Sequence, residues 1–232
     1  METYKTTDKT SYCLGMSLTI EALLHVPKYI EKIVLSSKAN KNNQLEYLIQ
    51  LCELNSIIPV YDDAIIEKLS IKENCYCIGI FNKFYNTLDS NKHIVLYEFN
   101  DFGELGTIFR SAVSFNFHDI VIVNSDIDYF DPRCIRASMG SIFHCNIIRY
   151  DNLMDYINDY PEHFIYPFVP NGGHELSELH AFEPYSVIIP QEYRGLCKEF
   201  KEGYYIKHKN LNEMSLSSLS SIAFSYLYHQ TI

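Results

Sequence analysis

The sequence has no tryptophan, no long apolar run and no apolar segment near its N-terminus. Apolar stretches such as Ile120–Val123 are far shorter than the roughly 20 residues needed to cross a membrane. Residues 1–10 are polar and contain no core of a secretion signal. With 47% hydrophobic and 21% charged residues, the chain is also unlike a disordered one. We therefore expect a globular protein of one large or two small domains, at roughly 100–200 residues per domain.

A disulfide framework and a metal-ligand pattern are also lacking. The seven cysteines are scattered and odd in number, which is typical of reduced thiols in the cytoplasm. Cys75 and Cys77 are too close together for a zinc pair, and no second pair accompanies them. The nine histidines are scattered as well, and we interpret them as ordinary core or surface residues. The sequence therefore predicts a cytoplasmic protein with no bound metal.

Arginine is scarce and confined to one part of the chain. The net charge is −10, from 19 basic and 29 acidic side chains, which argues against a polycation that coats nucleic acid. All five arginines lie beyond residue 109: Arg110, Arg133, Arg136, Arg149 and Arg194. Because arginine is the preferred side chain for bidentate phosphate contacts, this distribution points to the second part of the chain as the phosphate-binding part.

The first 88 residues predict a small α/β unit that ends in a polar linker at 84–92. Apolar spacing predicts helices at 11–24, 43–54 and 64–69, and strands at 32–36, 57–61 and 75–81. The linker is rich in Asn, Asp and Ser, which favour turns over regular structure.

From residue 89 onwards, predicted strands alternate with predicted helices. The strands are expected at 93–99, 119–124, 146–150, 164–169, 185–189 and 204–207, and the helices at 106–115, 132–143, 153–160 and 215–228. This alternation favours a parallel sheet with helices on both faces. Ligands of such sheets bind at the carboxyl ends of the strands.

The segment Asn100–Ala112 is the first of three that look unlike scaffold. We expect a strand to end there in a turn with two glycines, followed by a helix. The free backbone N–H groups of such a turn form a natural anion site, and Arg110 is predicted to lie one turn into the helix. A tight connection with a surface arginine is the simpler interpretation.

The second segment, Asp128–Phe143, contains Pro132 as a helix start and then small residues, among them Ser138 and Gly140. A glycine within a helix costs up to about 1 kcal/mol relative to alanine, so another group is expected to approach closely. Either a partner helix or a bound nucleotide fits that expectation.

The third segment comprises Ile188–Leu196, then Ile206, and then Ser215–Ser217. Its predicted strand ends near Glu192 and Arg194, with Gly195 directly behind them. This is the position at which α/β proteins bind ligands, although a surface salt pair would give the same pattern.

In this order and spacing, the three segments resemble the motifs of the SpoU/TrmH family of RNA ribose methyltransferases. The closest match is Arg136–Phe143, which reads Arg-Ala-Ser-Met-Gly-Ser-Ile-Phe. Residues 11–81 resemble the small ribosomal-protein-like RNA-binding domain that precedes the catalytic domain in many members.

The resemblance implies an α/β fold with two domains. These are an RNA-recognition domain at residues 1–88 and a knotted SPOUT-type parallel-sheet catalytic domain at residues 89–232, threaded by Pro190–Ser217. It further implies S-adenosyl-L-methionine as cofactor, RNA (tRNA or rRNA) as partner, and a homodimer.

The same resemblance implies roles for individual residues. Arg110 and Glu192 would be catalytic. Because arginine stays charged in proteins, we prefer Arg110 as a clamp on phosphate and a stabiliser of the developing alkoxide, with Glu192 or a water accepting the proton. The implied cofactor contacts are Val169, Pro170, Pro190, Gln191, Gly195, Ile206, Ser215 and Leu216. The implied RNA contacts are Glu104, Arg110, Arg136 and Ser138.

The chain departs from the family pattern at polar positions. Glu104 and Ser217 stand where asparagine is usual, Lys207 replaces a proline, Pro190 removes an N–H, and Tyr193 adds bulk. Three functions therefore stay open: an active RNA 2′-O-methyltransferase, a family member that binds RNA without catalysis, and an α/β enzyme acting on a small nucleotide.

Overall fold

The structure is a computed structural model that describes residues 4–70, 74–169, 173–191, 200, 203–207 and 214–230. By its internal contacts the chain divides into two units. The first combines Met1–Phe84 with Asp128–His144, and the second combines Tyr85–Ile127 with Cys145–Ile232. The first unit thus includes part of the second segment, while the division of roles between residues 1–88 and 89–232 stays a prediction. Within the described residues, no helix has the length and apolar character needed to span a membrane.

The first unit contains a mixed four-stranded sheet in the order β1-β4-β2-β3. Its strands are β1 (Thr10–Leu14), β2 (Ile30–Leu35), β3 (Val60–Tyr61) and β4 (Cys77–Asn82), and its helices include α1 (Met16–His25), α2 (Asn43–Leu54) and α3 (Asp63–Leu69). Side-chain caps fix two helix starts: Asn42 accepts from the N–H of Leu45, and Asp62 from that of Ile65. Ile33, Leu35 and Leu48 are among the fully buried residues of its core.

The strand β1 was missed by the sequence analysis, which placed the start of a helix at residue 11. Residues 10–14 alternate between half-buried and buried side chains, as a strand does. Gly15 then adopts φ +116°, a conformation that favours glycine, and α1 begins directly after it. The helix prediction was therefore correct only from residue 16 onwards.

The predicted helix 132–143 is wrong as a continuous element. The helix α5 covers only Pro132–Ala137, and a 3-10 turn follows at Ser141–His144. Between them, Met139 and Gly140 adopt φ values of +53° and +85°. A Cβ on Gly140 would lie 2.8 Å from Cβ of Glu21, so the group that approaches this glycine is a side chain of α1.

The second unit contains a five-stranded sheet in the order β7-β6-β5-β10-β8, in which every pairing is parallel. The strands are β5 (Lys92–Tyr97), β6 (Asp119–Val123), β7 (Asn146–Tyr150), β8 (Phe164–Pro167) and β10 (Tyr185–Pro190). A separate parallel pair is formed by β9 (Gly173–Glu175) and β11 (Gly203–Tyr205). The α/β fold with a parallel sheet, predicted from the alternation, is confirmed.

The described helices of this unit are α4 (Phe102–Ser114), α6 (Leu153–Asp159) and α7 (Leu216–Gln230). Helices α4 and α7 pack on each other: Ser111 Oγ lies 2.7 Å from Ser221 Oγ, and Phe117, just after α4, packs at a tilt against Phe224 of α7. Most of the segment expected to thread a knot, Pro190–Ser217, lies outside the described residues, so the knot stays a prediction.

Candidate active site

The strand order of the parallel sheet reverses between β5 and β10. From β5 the chain adds β6 and β7 on one side, whereas β10 and β8 lie on the other side. Such a reversal of strand order opens a crevice at the carboxyl ends of the strands, where open α/β sheets bind ligands. Tyr97 is paired with Pro190 at this edge, so the residues after each of them adjoin the crevice.

A pair of amide side chains joins the two strand ends. The N–H of Gln191 donates to the carbonyl of Tyr97 at 2.9 Å, and Gln191 Nε2 donates to Asn100 Oδ1 at 2.7 Å. The N–H of Asn100 donates back to Gln191 Oε1. These bonds fix the loop that leads into α4. The sequence analysis predicted Gln191 as a site residue but gave Asn100 only as the start of the first segment, although its place just after a buried strand was an available signal.

The helix α4 begins earlier than the sequence predicted. Asp101 caps it by accepting from the N–H of Glu104 at 2.8 Å, and Gly103 and Gly106 lie within its first turns rather than in a preceding turn. The cap and the burial of apolar residues such as Leu105 outweigh the cost of about 1 kcal/mol for each glycine. Arg110 is consequently about 12 Å along the helix from its start, more than two turns instead of one.

Glu104 links the starts of α4 and α7. Its half-buried carboxylate accepts a hydrogen bond from the N–H of Leu216. Burial and the nearby negative charge of Asp101 raise the pKa of Glu104, and the Leu216 N–H opposes that shift. The first turn of α7 has its own cap, since Ser215 Oγ accepts from the N–H of Ser218 at 3.2 Å. The residue that departs from the family pattern thus supports the third segment.

Arg110 lies on the outer face of α4, where its side chain is exposed. The hydroxyls of Thr107 and Ser114 on the same face donate to backbone carbonyls of their own helix at 2.7 and 2.8 Å. Within the described part of the chain, the guanidinium makes no hydrogen bond or ion pair, including none with Glu104. A guanidinium in this position has its full set of donors available for phosphate.

The end of β8 lies beside β11. The N–H of Val169 donates to the carbonyl of Tyr204 at 2.9 Å. A Cβ on Gly203 would lie 2.5 Å from the carbonyl oxygen of Pro167 and 2.9 Å from Val169 Cγ1, so only glycine permits this approach. Ile206, which follows β11, is half-buried. Two predicted cofactor contacts, Val169 and Ile206, are thereby brought to neighbouring chain segments.

The remaining predicted site residues fall into two groups. Pro170, Glu192 and Gly195 lie outside the described residues. Arg136 and Ser138 belong to the first unit. Arg136 is exposed at a cavity of about 260 Å³ beside the start of α1. Ser138 is fully buried and donates to the carbonyl of Ile135 at 2.9 Å, so its side chain has no surface to offer RNA.

Comparison with known proteins places this arrangement in context. The model of the SpoU rRNA Methylase family matches residues 91–209. The 23S rRNA (guanosine(2553)-2′-O)-methyltransferase RlmP of Bacillus subtilis is 22% identical over 180 residues, which is 76% of this chain and 70% of that protein.

Solved structures match over nearly the whole chain. The AdoMet-bound rRNA methyltransferase from Sinorhizobium meliloti has a TM-score of 0.77 at 19% identity, covering 97% of this chain and 88% of that one. The methyltransferase AviRb from Streptomyces viridochromogenes, in complex with AdoMet, has a TM-score of 0.76 at 12% identity, covering 96% and 91%. These likenesses show a shared fold.

Proposed function

Because this chain belongs to the SpoU rRNA methylase family, we propose that it transfers a methyl group from S-adenosyl-L-methionine to a ribose 2′-hydroxyl of tRNA or rRNA. The observation that carries the proposal is the reversal of strand order between β5 and β10. There the amide pair Asn100–Gln191 and the bond from Leu216 to Glu104 join the first and third segments at one edge of the sheet. The relative in Bacillus subtilis is named as a 2′-O-methyltransferase, which supports the same reaction.

The side chains at this edge fit the proposed cofactor in their chemistry. Ile206 and Leu216 are half-buried apolar residues, and Val169 lies at the neighbouring strand end. Apolar surface with a few fixed polar groups is what a nucleoside ligand requires. These residues, with Pro190, Gln191 and Ser215, would hold the cofactor, which supplies an electrophilic methyl group when bound. Pro170 and Gly195 complete the proposed set from outside the described residues.

The protein itself contributes to the reaction by positioning the RNA and by stabilising the charge that develops on it. Arg110 would bind a phosphate of the RNA and stabilise the negative charge that develops on the ribose oxygen, because it stays protonated. Glu192 or a water would accept the hydroxyl proton. Holding the hydroxyl in line with the methyl group itself contributes several kcal/mol to the rate.

We also propose a homodimer in the cytoplasm. Arg110 lies more than two turns from the start of α4 and is exposed, which suits an arginine that serves the site of the partner subunit. The exposed Ile222 of α7 offers apolar contact surface, whereas Gly140 of the second segment is already covered by Glu21. Light scattering should give twice the 27.1 kDa mass of one chain.

The proposed location in the cytoplasm is supported by the cysteines. The six described cysteines are free thiols, as in a reducing compartment.

Calorimetric titration with S-adenosyl-L-methionine tests the proposal at its first step. We expect one binding site per chain, followed by methyl transfer to unmodified tRNA or rRNA transcripts. A chain that binds these RNAs but shows no heat with the cofactor would instead be the non-catalytic RNA-binding member of the family.

A further inference from the structure

Two histidines and a glutamate of the first unit meet at one point. Glu21 and His25 lie on α1, and His144 ends the 3-10 turn at Ser141–His144. Glu21 Oε2 is 3.1 Å from His144 Nε2 and 3.7 Å from His25 Nε2. One potential ligand atom from each residue lies within 4.8 Å of the others, and no second such group occurs among the described residues.

Local structure brings these side chains together. Glu21 and His25 are four residues apart, so they project from the same face of α1. Gly140, at φ +85°, lets the chain turn back beneath that face, and the methylenes of Glu21 pack against it. The turn places His144 beside Glu21 although 123 residues separate them, and the two imidazole rings lie 3.6 Å apart between centroids. The sequence analysis, which treated the histidines as scattered, gave no sign of this meeting.

We propose that Glu21, His25 and His144 bind a divalent transition-metal ion, with Zn²⁺ as the best match. Two imidazole nitrogens and one carboxylate oxygen are a common zinc donor set, whereas Mg²⁺ and Ca²⁺ prefer oxygen ligands. Bonds of about 2.0–2.1 Å in a tetrahedron place neighbouring ligand atoms about 3.3 Å apart. The two measured separations from Glu21, 3.1 and 3.7 Å, lie on either side of that value.

The ion would join two segments that are distant in the sequence. It would tie the turn that ends the second segment to α1, across the chain reversal at Met139 and Gly140. Three protein ligands leave a fourth position for water. None of the three residues belongs to the proposed methyl-transfer site, so this inference is independent of the proposed function.

Metal binding to the chelator-stripped protein tests this inference. Titration with Zn²⁺ against a competing indicator should give one ion per chain. His25→Gln and His144→Gln should each weaken binding at least about tenfold, since even the loss of an outer-shell partner costs metal sites about 10- to 100-fold.

His174→Gln is the matched control. His174 pairs with Glu178 at the same four-residue spacing and at 3.4 Å, but it belongs to no such three-residue group within the described residues. Its substitution should leave zinc affinity unchanged. Because the His25 side chain is exposed, His25→Gln should fold normally. It therefore keeps the test decisive even if His144→Gln fails to fold.

Cobalt substitution separates this site from the thiols. The Co²⁺-loaded protein should show d–d absorption without the intense thiolate-to-cobalt charge-transfer band. The inference is overturned if the wild type binds no stoichiometric ion, if both histidine variants bind as tightly as it does, or if the bound cobalt shows thiolate ligation.

Discussion

Polar side chains are buried at the amino end of the parallel sheet and reach the surface at its carboxyl end. At the amino end, His93 of β5 and His163 before β8 are linked through Tyr156 and Ser186. His93 Nδ1 lies 2.8 Å from the Tyr156 hydroxyl, which is hydrogen-bonded to Ser186 Oγ. His163 Nδ1 lies 2.8 Å from Ser186 Oγ as well. All four side chains are buried.

At the carboxyl end, polar side chains reach the surface instead. Asn100 is exposed there, and Glu104 and Gln191 are half-buried. Arg110 is also exposed, but it lies further along α4, more than two turns from the start of that helix. A buried network that satisfies its own members contributes to stability, whereas exposed donors and acceptors remain available to a ligand. We therefore expect substitutions at the carboxyl end and on the exposed face of α4 to change activity, and substitutions in the buried network at the amino end to change stability.

Among the substitutions that test this comparison, Arg110→Ala should have the largest effect on activity. The exposed guanidinium makes no hydrogen bond or ion pair within the described chain, so its loss should change the free energy of unfolding by less than about 0.5 kcal/mol. Methyl transfer should fall by about 100- to 1000-fold, as for the loss of one transition-state donor. Initial rates on RNA and urea unfolding of the same preparation measure both.

Thr107→Ala, on the same exposed face one turn earlier, is the control for Arg110→Ala and should keep full activity. An Arg110→Ala protein that methylates at the wild-type rate would remove the arginine from the site.

Lowering the pH should destabilise the amino end of the sheet. Burial lowers the pKa of His93 to about 4, and the neighbouring His163, whose pKa burial also lowers, adds to the effect. Asp119 and Glu162 oppose the shift of His93.

The unfolded chain binds more protons than the folded one between the ordinary value of 6.5 and about 4. The free energy of unfolding should therefore fall as the pH drops through that window, by up to about 3 kcal/mol. Urea unfolding across that pH range measures the slope. His93→Gln should flatten it, and an unchanged slope would assign the titration elsewhere.

Tyr156→Phe should destabilise the second unit by about 1–3 kcal/mol. It removes the hydroxyl that joins His93 to Ser186 and leaves their buried polar atoms without that partner. The specific activity of the folded fraction should not change, because the network lies at the other end of the sheet. A loss of activity at full stability would mean that the two ends are coupled.

Glu104→Gln should have the smallest effect. The amide oxygen can still accept from the N–H of Leu216, so the fold is kept while one negative charge is removed. RNA affinity should rise a few-fold at low salt, and the gain should shrink at higher salt because exposed charges are screened. Filter binding at two salt concentrations measures it, and an equal gain at both would exclude an electrostatic cause.

The sequence predicted the parallel sheet well because its inner strands β5, β6 and β10 are buried along almost their whole length and leave continuous apolar runs. Ile120–Val123 is one such run, and the observed β6 (Asp119–Val123) contains it. The start of α4 was placed too late because the two glycines were weighed above the cap at Asp101. The break at Met139 was not predictable, since a left-handed backbone at methionine has no sequence signal.

The position of the candidate site could be predicted from the sequence, but the contacts within it could not. The carboxyl-end rule and the family motifs indicated Gln191 and Glu104. Their partners, Asn100 and Leu216, depend on strand register and on the packing of α7, which local patterns do not encode. The cluster of Glu21, His25 and His144 was invisible for the same reason, because its members meet only through the tertiary fold.

The most direct test of the account is a search for 2′-O-methylribose in RNA treated with this protein. Unmodified tRNA and rRNA transcripts would be incubated with methyl-labelled S-adenosyl-L-methionine, digested to nucleosides and analysed by mass spectrometry. We predict label on the ribose oxygen of one nucleotide with the wild type and none above background with Arg110→Ala. Label on a base, or transfer that is equal in both proteins, would contradict the account.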